Sequence, residues 1–167
     1  MNIVLLEPEI PFNTGAIGRT CVATNTRLHL IEPLGFKIDD KSLKRAGLDY
    51  WHKLDVTIYK NFNEFLKKNN YPRIYMATTK AQKTYDEIDY TMDDYIMFGK
   101  ESAGIPEEIL VANQDNCVRI PMFGDIRSLN LSNSVSIILY EAYRQIGFSG
   151  LEKTGNLHRL SWDVEVG

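Results

Sequence analysis

The chain has 167 residues, of which 44% are hydrophobic and 25% are charged, and its formal net charge is −3. This length and composition predict one globular domain with a sizeable core. The charge excludes a protein that is drawn to nucleic acid by its overall field, so nucleic-acid binding would need a local patch. No apolar run approaches the roughly 18 residues of a membrane span, and no basic segment precedes an apolar one at the start. We therefore expect a cytoplasmic protein without a membrane partner.

Short apolar strands alternate with helices along the chain. Residues 2–6 form a continuous apolar run, which is typical of a strand that is covered on both faces in a parallel sheet. Further strands are predicted at residues 27–32, 55–59, 73–78, 95–99 and 117–122. Helices are predicted at residues 14–24, 39–47, 61–68, from 107 onward, and 130–146. This order predicts an α/β domain with a mostly parallel sheet of about six strands.

The last predicted helix begins with an unexpected composition. Its apolar residues fall on one face, as in an amphipathic helix, at Leu131, Val135, Ile138, Leu139, Ala142 and Ile146. Asn130 is the predicted N-cap and Gly147 the predicted stop. Two Asn and four Ser nevertheless stand between residues 128 and 136, although both residue types compete with the helix backbone for hydrogen bonds. They indicate either a functional site or a need for small residues in tight helix packing.

Three polar loops follow predicted strands, at residues 9–19, 99–106 and 120–133. Ligands bind at the carboxyl ends of parallel strands, so we expect these loops to form one site. They offer glycines for close approach, hydroxyl and amide groups, and fixed positive charge, from Gly99, Gly104, Ser128, Asn130, Arg19 and Arg127. Arg19 should point away from the apolar face of its own helix. Such a site suits group transfer between a cofactor and a hydroxyl.

Other polar residues receive a structural interpretation. The common nucleotide and metal motifs are absent from the sequence, and Cys21 and Cys117 lack metal-ligand spacing. Both cysteines are predicted to be small buried hydrophobes, and His29 is predicted to be a structural residue of its strand. Four basic residues in and just before the helix predicted at 39–47 fall near one face, which is either a solvated face or a phosphate-contacting patch. They are Lys37, Lys41, Lys44 and Arg45.

The same loops resemble the three motifs of the SPOUT-class RNA ribose 2′-O-methyltransferases. The matching segments are NTGAIGRTC at 13–21, FGKESAGIP at 98–106, and IPMFGDIRSLNLSNSVS at 120–136. The resemblance extends through residues 32–36 and 45–51, and it covers residues 1–150. Within the class the chain is most similar to the minimal tRNA wobble-nucleotide methyltransferases of the TrmL/YibK type, which lack an added RNA-binding domain.

This resemblance implies a fold and a chemistry that the residues alone do not give. It implies a SPOUT methyltransferase domain at 1–150 with a C-terminal trefoil knot, followed by a tail at 151–167. It also implies S-adenosylmethionine bound in the knot, no metal, and a homodimer with the site near its interface. The implied reaction is methylation of a ribose 2′-hydroxyl in tRNA, at the wobble cytidine or uridine of the anticodon.

The resemblance also assigns roles to residues. It places cofactor contacts and their neighbours at Ala77, Gly99, Glu101, Ile120, Met122, Ser128 and Leu129. Arg19 matches the proposed catalytic arginine of the family, with Asn13 and Asn130 supporting the site. An arginine is almost always protonated in water, so we expect Arg19 to position the nucleotide and assist proton removal, with the base itself left open. Ala103 stands where some relatives carry arginine.

Alternatives to this function are ribose methylation of another tRNA position or of rRNA, and a non-catalytic RNA-binding or assembly factor on the same fold. The non-catalytic factor predicts no binding of S-adenosylmethionine and no loss when Arg19 is replaced. For the tail, the alternatives are RNA contact, packing on a neighbouring subunit, or loose order.

Overall fold

The computed structural model describes residues 1–38 and 50–162. The strands in these residues are β1 (Asn2–Leu6), β2 (Arg27–Ile31), β3 (Val56–Tyr59), β4 (Ile74–Ala77), β5 (Lys83–Thr84), β6 (Tyr95–Phe98) and β7 (Cys117–Arg119). The α-helices are α1 (Pro11–Ala23), α2 (Phe62–Lys68), α3 (Glu107–Ala112) and α4 (Leu131–Gln145). The helix predicted at 39–47 and most of its basic face lie outside the described residues.

The strands form one parallel sheet in the order β3-β2-β1-β6-β4-β7-β5. This confirms the predicted α/β class with a parallel sheet, with seven strands in place of about six. The additional strand is β5, which has only two residues and pairs with β7 at the sheet edge. A strand of that length is too short to produce a periodic pattern in the sequence. The trefoil knot stays a prediction.

Helices cover both faces of the sheet. Successive strand residues point to opposite faces, so Ile3 and Leu5 pack in the cluster that includes residues of α1 and α4, whereas Val4 and Leu6 pack in the cluster that includes residues of α2 and α3. The predicted stripe of α4 is confirmed at its centre, where four side chains are fully buried, namely Val135, Ile138, Leu139 and Ala142. Burial on both faces is the reason why the central strands are apolar throughout.

Helix boundaries follow local backbone chemistry. The N-cap of α4 is Asn130, whose side-chain oxygen accepts from the backbone N–H groups of Ser132 and Asn133, as predicted. Gly147 has a φ of +69° directly after this helix, in the left-handed region that glycine tolerates. Helix α1 begins at Pro11, three residues earlier than predicted, because proline is well tolerated in the first turn of a helix.

The residues that were given structural roles are buried. The His29 ring contacts the Tyr59 hydroxyl at 2.8 Å through Nδ1 and the Asn2 amide oxygen at 3.2 Å through Nε2. Burial lowers the pKa of His29 to about 4 and raises the pKa of Cys21 to about 12. Cys21 and Cys117 are free and buried, as predicted.

Among the described residues, no helix is long and apolar enough to cross a membrane. These residues also contain no cluster of three or more side chains that could hold a metal ion. In the C-terminal segment, Leu151 packs against the core, and the indole N–H of Trp162 donates to the carbonyl of Gly155 at 3.3 Å.

Candidate active site

A cavity of about 590 Å³ opens at the carboxyl ends of β4, β6 and β7. Loops that follow these strands surround it together with the start of α1. Nine of the ten residues that the resemblance singled out line this cavity, namely Ala77, Gly99, Glu101, Ile120, Met122, Ser128, Leu129, Asn13 and Asn130. The tenth, Arg19, is not among the lining residues. The structure therefore brings together segments that are far apart in sequence, while the roles of these residues stay predictions.

A tight turn after β6 shapes one wall. The N–H of Gly104 donates to the carbonyl of Lys100 at 2.8 Å, and Gly104 has a φ of +73°. A Cβ atom added to Gly99 would lie 2.0 Å from the carbonyl carbon of Gly104, so no side chain fits there. Glycine at position 99 therefore allows the two ends of this turn to pack directly on each other.

A directed chain of hydrogen bonds joins the three loops. The Glu101 carboxylate accepts from the Asn13 amide nitrogen at 2.9 Å, and the Asn13 amide oxygen accepts from the Asn130 amide nitrogen at 3.0 Å. The Asn130 oxygen in turn accepts from the N–H of Ser132 at 2.9 Å. A carboxylate can only accept and a helix N–H can only donate, so both ends fix the orientation of the two amides.

Carboxylates also fasten the loop after β1 to the turn after β6. Glu9 accepts from the backbone N–H and the hydroxyl of Ser102, both at 2.8 Å, and its own N–H donates to Glu101 at 2.8 Å. The Ser102 hydrogen bonds hold the pKa of Glu9 below its usual range. Lys100 pairs with Glu7 at 2.9 Å, and this hydrogen bond raises the pKa of Lys100. These reciprocal bonds hold two walls of the cavity in a fixed relation.

The chemistry of the lining is mixed. Apolar side chains come from the ends of β4, β6 and β7, from the surrounding loops and from α4, whereas the other groups are glycine backbone, hydroxyls, amides and charges. Among the described residues that line the cavity there is no Cys, His or Tyr, so covalent catalysis by a residue of those types has no candidate there. The arrangement suits a site that orients a bound donor towards a nucleophile that the substrate supplies.

Arg19 occupies an exposed position on α1, six residues after Asn13. Its guanidinium carbon lies 4.6 Å from the centre of the Tyr50 ring, and the Tyr50 hydroxyl donates to the carbonyl of Gly15. Tyr50 thus connects Arg19 to the beginning of its own helix. As the spacing predicted, Arg19 points away from the buried face of α1, where Ile17 is fully buried.

Sequence reasoning missed one part of the wall. Thr78, Thr79 and Lys80 line the cavity directly after β4. Lys80 also forms an ion pair with Glu107 at 2.7 Å, which connects this loop to α3. The signal that could have found these residues was their place at the end of a predicted strand, the same signal that located the other loops.

This fold and site define an RNA methyltransferase of the SpoU type: the chain belongs to the SpoU rRNA Methylase family, whose sequence profile matches residues 1–140. The resemblance to this class of methyltransferases is therefore confirmed.

Among individual relatives, the tRNA (cytidine(34)-2′-O)-methyltransferase of Escherichia coli (strain K12) is 50% identical over 151 residues, which are 90% of this chain and 96% of that protein. A solved structure, reported for the 2-OH methylation of C/U34 on tRNA, is 41% identical with a TM-score of 0.81, and the match covers 87% of this chain and 95% of that one. An AdoMet-bound rRNA methyltransferase from Sinorhizobium meliloti is 25% identical with a TM-score of 0.75, over 87% of this chain and 56% of that one.

Proposed function

We propose that this protein transfers the methyl group of S-adenosylmethionine to the ribose 2′-hydroxyl of nucleotide 34 in tRNA. The observation that carries the proposal is the meeting of the three motif loops around one cavity, fixed by the Glu101–Asn13–Asn130 chain. The E. coli relative and the C/U34 structure support the choice of tRNA and of position 34 over rRNA or another tRNA site. A tRNA substrate is compatible with the expected cytoplasmic location.

The cavity fits the proposed cofactor. Gly99 packs directly on the backbone of Gly104, and the turn at 99–104 lines the cavity, where its backbone groups are accessible to a ligand. Ile120, Met122 and Leu129 provide apolar surface against which an adenine ring and a methionine chain would pack. The AdoMet-bound structure from S. meliloti supports this assignment. No metal ion is needed, because the electrophile carries its own positive charge.

The proposed mechanism is an in-line displacement. S-adenosylmethionine supplies an electrophilic methyl group on a sulfonium, which becomes a neutral thioether once the methyl has left. Asn13 and Asn130 keep the loops in the geometry that holds the 2′-hydroxyl about 3 Å from the methyl carbon. As the new C–O bond forms and the C–S bond breaks, the hydroxyl proton passes to solvent water. Arg19 binds the phosphate next to the target ribose and stabilises the developing alkoxide, which assists removal of that proton.

The position of Arg19 outside the cavity lining supports a homodimer in which it serves the site of the second subunit. Mixing two inactive variants tests this proposal. Arg19→Ala keeps its cavity, whereas Gly99→Val disrupts the turn that forms one wall of the cavity, because its side chain would clash with the backbone of Gly104. If Arg19 acts across the interface, each mixed dimer contains one intact site, and randomly mixed subunits recover roughly a quarter of wild-type activity. If Arg19 acts within its own subunit, mixing recovers none.

Two measurements test the proposed function as a whole. Calorimetry with S-adenosylmethionine separates an enzyme from a non-catalytic RNA-binding factor, because only the enzyme needs the cofactor. Ribose-methylation mapping of tRNA and rRNA from cells that lack the gene then identifies the substrate. We expect the 2′-O-methyl group at position 34 of one or more tRNAs to disappear while rRNA methylation is unchanged. An unchanged tRNA map would refute the substrate.

Arg19 itself is tested by single-turnover methyl transfer with Arg19→Ala and Arg19→Lys. We expect alanine to lower both RNA affinity and rate, and lysine to restore part of the affinity because it keeps the charge but not the forked geometry. Wild-type rates in both variants would contradict the role of Arg19.

A further inference from the structure

The loop between β7 and α4 carries two exposed apolar side chains at the mouth of the cavity. Phe123 is 97% exposed and Ile126 is 61% exposed. Such exposure forgoes the free energy that burial of these side chains would contribute to folding. Beside the cavity, the two side chains form an apolar surface that is accessible to a bound substrate.

The neighbours of Phe123 place that contact beside the site. Met122, directly before it, lines the cavity, and so do Arg127, Ser128 and Leu129 at the other end of the loop. Arg127 donates to the carbonyl of Ser102 at 2.7 Å, so the loop is fastened to the opposite rim. The tip with Phe123 and Gly124 stands between these two fixed ends, where Gly124 has a φ of +67° and supplies the turn.

We propose that Phe123 is a substrate-binding residue that stacks on the base of the nucleotide whose ribose is methylated, with Ile126 extending the apolar surface. This inference rests on the proposed function. The base is attached to the ribose carbon next to the one that bears the reacting hydroxyl. A ribose held at the cavity mouth therefore brings its base within reach of the cavity rim, part of which is the loop that carries Phe123.

RNA loops are suited to such a contact. Unpaired bases in a loop can turn outward and stack on aromatic side chains, and stacking requires no particular base because each has a π face. Arg127 adds a positive charge on the same loop, and this charge attracts the phosphates of the RNA backbone. An exposed aromatic side chain beside a cation is the combination that single-stranded RNA sites use. A chain with a net charge of −3 needs such a local site because its overall charge does not attract RNA.

The test uses the full-length protein and an anticodon stem-loop with position 34 either natural or replaced by the fluorescent base pyrrolocytidine. Phe123→Ala should raise KM for the natural RNA by about 5- to 150-fold, the range that corresponds to the loss of one stacked base. Saturated kcat and the affinity for S-adenosylmethionine should stay near wild type. Phe123→Trp and Phe123→Tyr should retain a low KM, whereas Phe123→Leu should not, because leucine is apolar but has no π face.

Tyr71 provides the matched control. It is an exposed aromatic, 66% accessible, that lies just before β4 and hence at the opposite end of the sheet from the cavity. Tyr71→Ala should leave KM for RNA unchanged. In the presence of S-adenosylhomocysteine, wild type and Tyr71→Ala should both quench pyrrolocytidine at position 34, and Phe123→Ala should not.

The outcomes separate this inference from the proposed function. Equal KM and equal quenching in wild type and Phe123→Ala, with methyl transfer intact, would overturn the stacking role alone. A change in sedimentation of Phe123→Ala with quenching retained would also overturn it, because Phe123 would then be a contact between subunits. Quenching by wild type without any methyl transfer would support stacking and refute the proposed function.

Discussion

Asn130 performs two tasks that a single substitution can separate. Its side-chain oxygen caps α4 by accepting from the N–H groups of Ser132 and Asn133, at 2.9 and 3.3 Å. Its side-chain nitrogen donates to the Asn13 oxygen at 3.0 Å. Aspartate caps helices as well as asparagine does, but it has no amide nitrogen. Asn130→Asp therefore keeps the cap and removes the donor to Asn13.

The expected magnitudes follow from these contacts. An aspartate at the N-terminus of a helix gains about 0.3–1 kcal/mol from the macrodipole, which offsets the roughly 1 kcal/mol lost with the hydrogen bond. The free energy of unfolding of Asn130→Asp should thus stay within about 1 kcal/mol of wild type. Asn130→Ala loses the cap as well, and it should be destabilised by about 2 kcal/mol.

The effect on the site should be larger. In Asn130→Asp a carboxylate oxygen faces the Asn13 oxygen, and Asn13 cannot turn its amide without facing the Glu101 carboxylate with its oxygen instead. If Asn13 turns away in the resting variant and must recover its wild-type orientation in the transition state, the unpaired acceptor costs about 1–3 kcal/mol at that point, a loss of about 5- to 150-fold in rate.

Single-turnover methyl transfer and chemical denaturation, measured on the same preparations, test this reasoning. We expect Asn130→Asp to be stable and slow, and Asn130→Ala to be both less stable and slow. If the single-turnover rate of Asn130→Asp lies within about twofold of wild type, the hydrogen-bond chain has no part in the reaction. Asn130 would then be only a helix cap.

Further predictions concern the turn at Gly99, the core and the loop contacts. Gly99→Ala should abolish calorimetric binding of S-adenosylmethionine, since its Cβ would lie 2.0 Å from the backbone of Gly104; retained binding would show that the turn can shift. His29, with its pKa lowered to about 4 by burial, contributes stability that is present above the unfolded pKa near 6.5 and lost as the pH falls towards 4. Lowering the pH from 7 to 4.5 should therefore reduce the free energy of unfolding of wild type by about 2 kcal/mol more than that of His29→Gln. Parallel pH profiles of the two proteins in chemical denaturation would contradict a neutral buried imidazole. Ser102→Ala should raise the pKa of Glu9 towards its ordinary value in a carboxyl-carbon NMR titration, because the Ser102 hydroxyl is the main cause of its depression; an unchanged pKa would assign the depression to the backbone N–H.

The sequence predicts those features that depend on local chemistry or on the rule for parallel sheets. The N-cap at Asn130 is a local preference of the backbone, and it was predicted correctly. The meeting of the loops followed from the fact that carboxyl ends of parallel strands share one edge. By contrast, the strand order depends on the crossover connections, and no periodic pattern encodes the insertion of β6 between β1 and β4.

Contacts between distant loops were equally hidden. The bonds between Glu9 and Ser102 join residues 93 positions apart, and neither residue has an unusual local pattern. Arg19 is a second example. Helical spacing predicted that its side chain points away from the buried face of α1, but spacing does not predict which residue it contacts. Its stacking on Tyr50 depends on the tertiary fold, which brings residue 50 next to α1.

The excess of serine in α4 has two physical causes. Ser132 donates its hydroxyl to the Asn130 oxygen at 2.6 Å, so it supports the cap beside the cavity. Ser136 donates instead to the carbonyl of Ser132 at 2.9 Å, and Thr20 on α1 donates to the carbonyl of Ala16 at 3.2 Å. Since both hydroxyl protons are used within their own helices, the 3.5 Å contact between Ser136 and Thr20 is packing rather than a hydrogen bond. Ser132 thus supports the cap and Ser136 allows α1 and α4 to approach, so the helix that lines the cavity also holds the helix that carries Arg19.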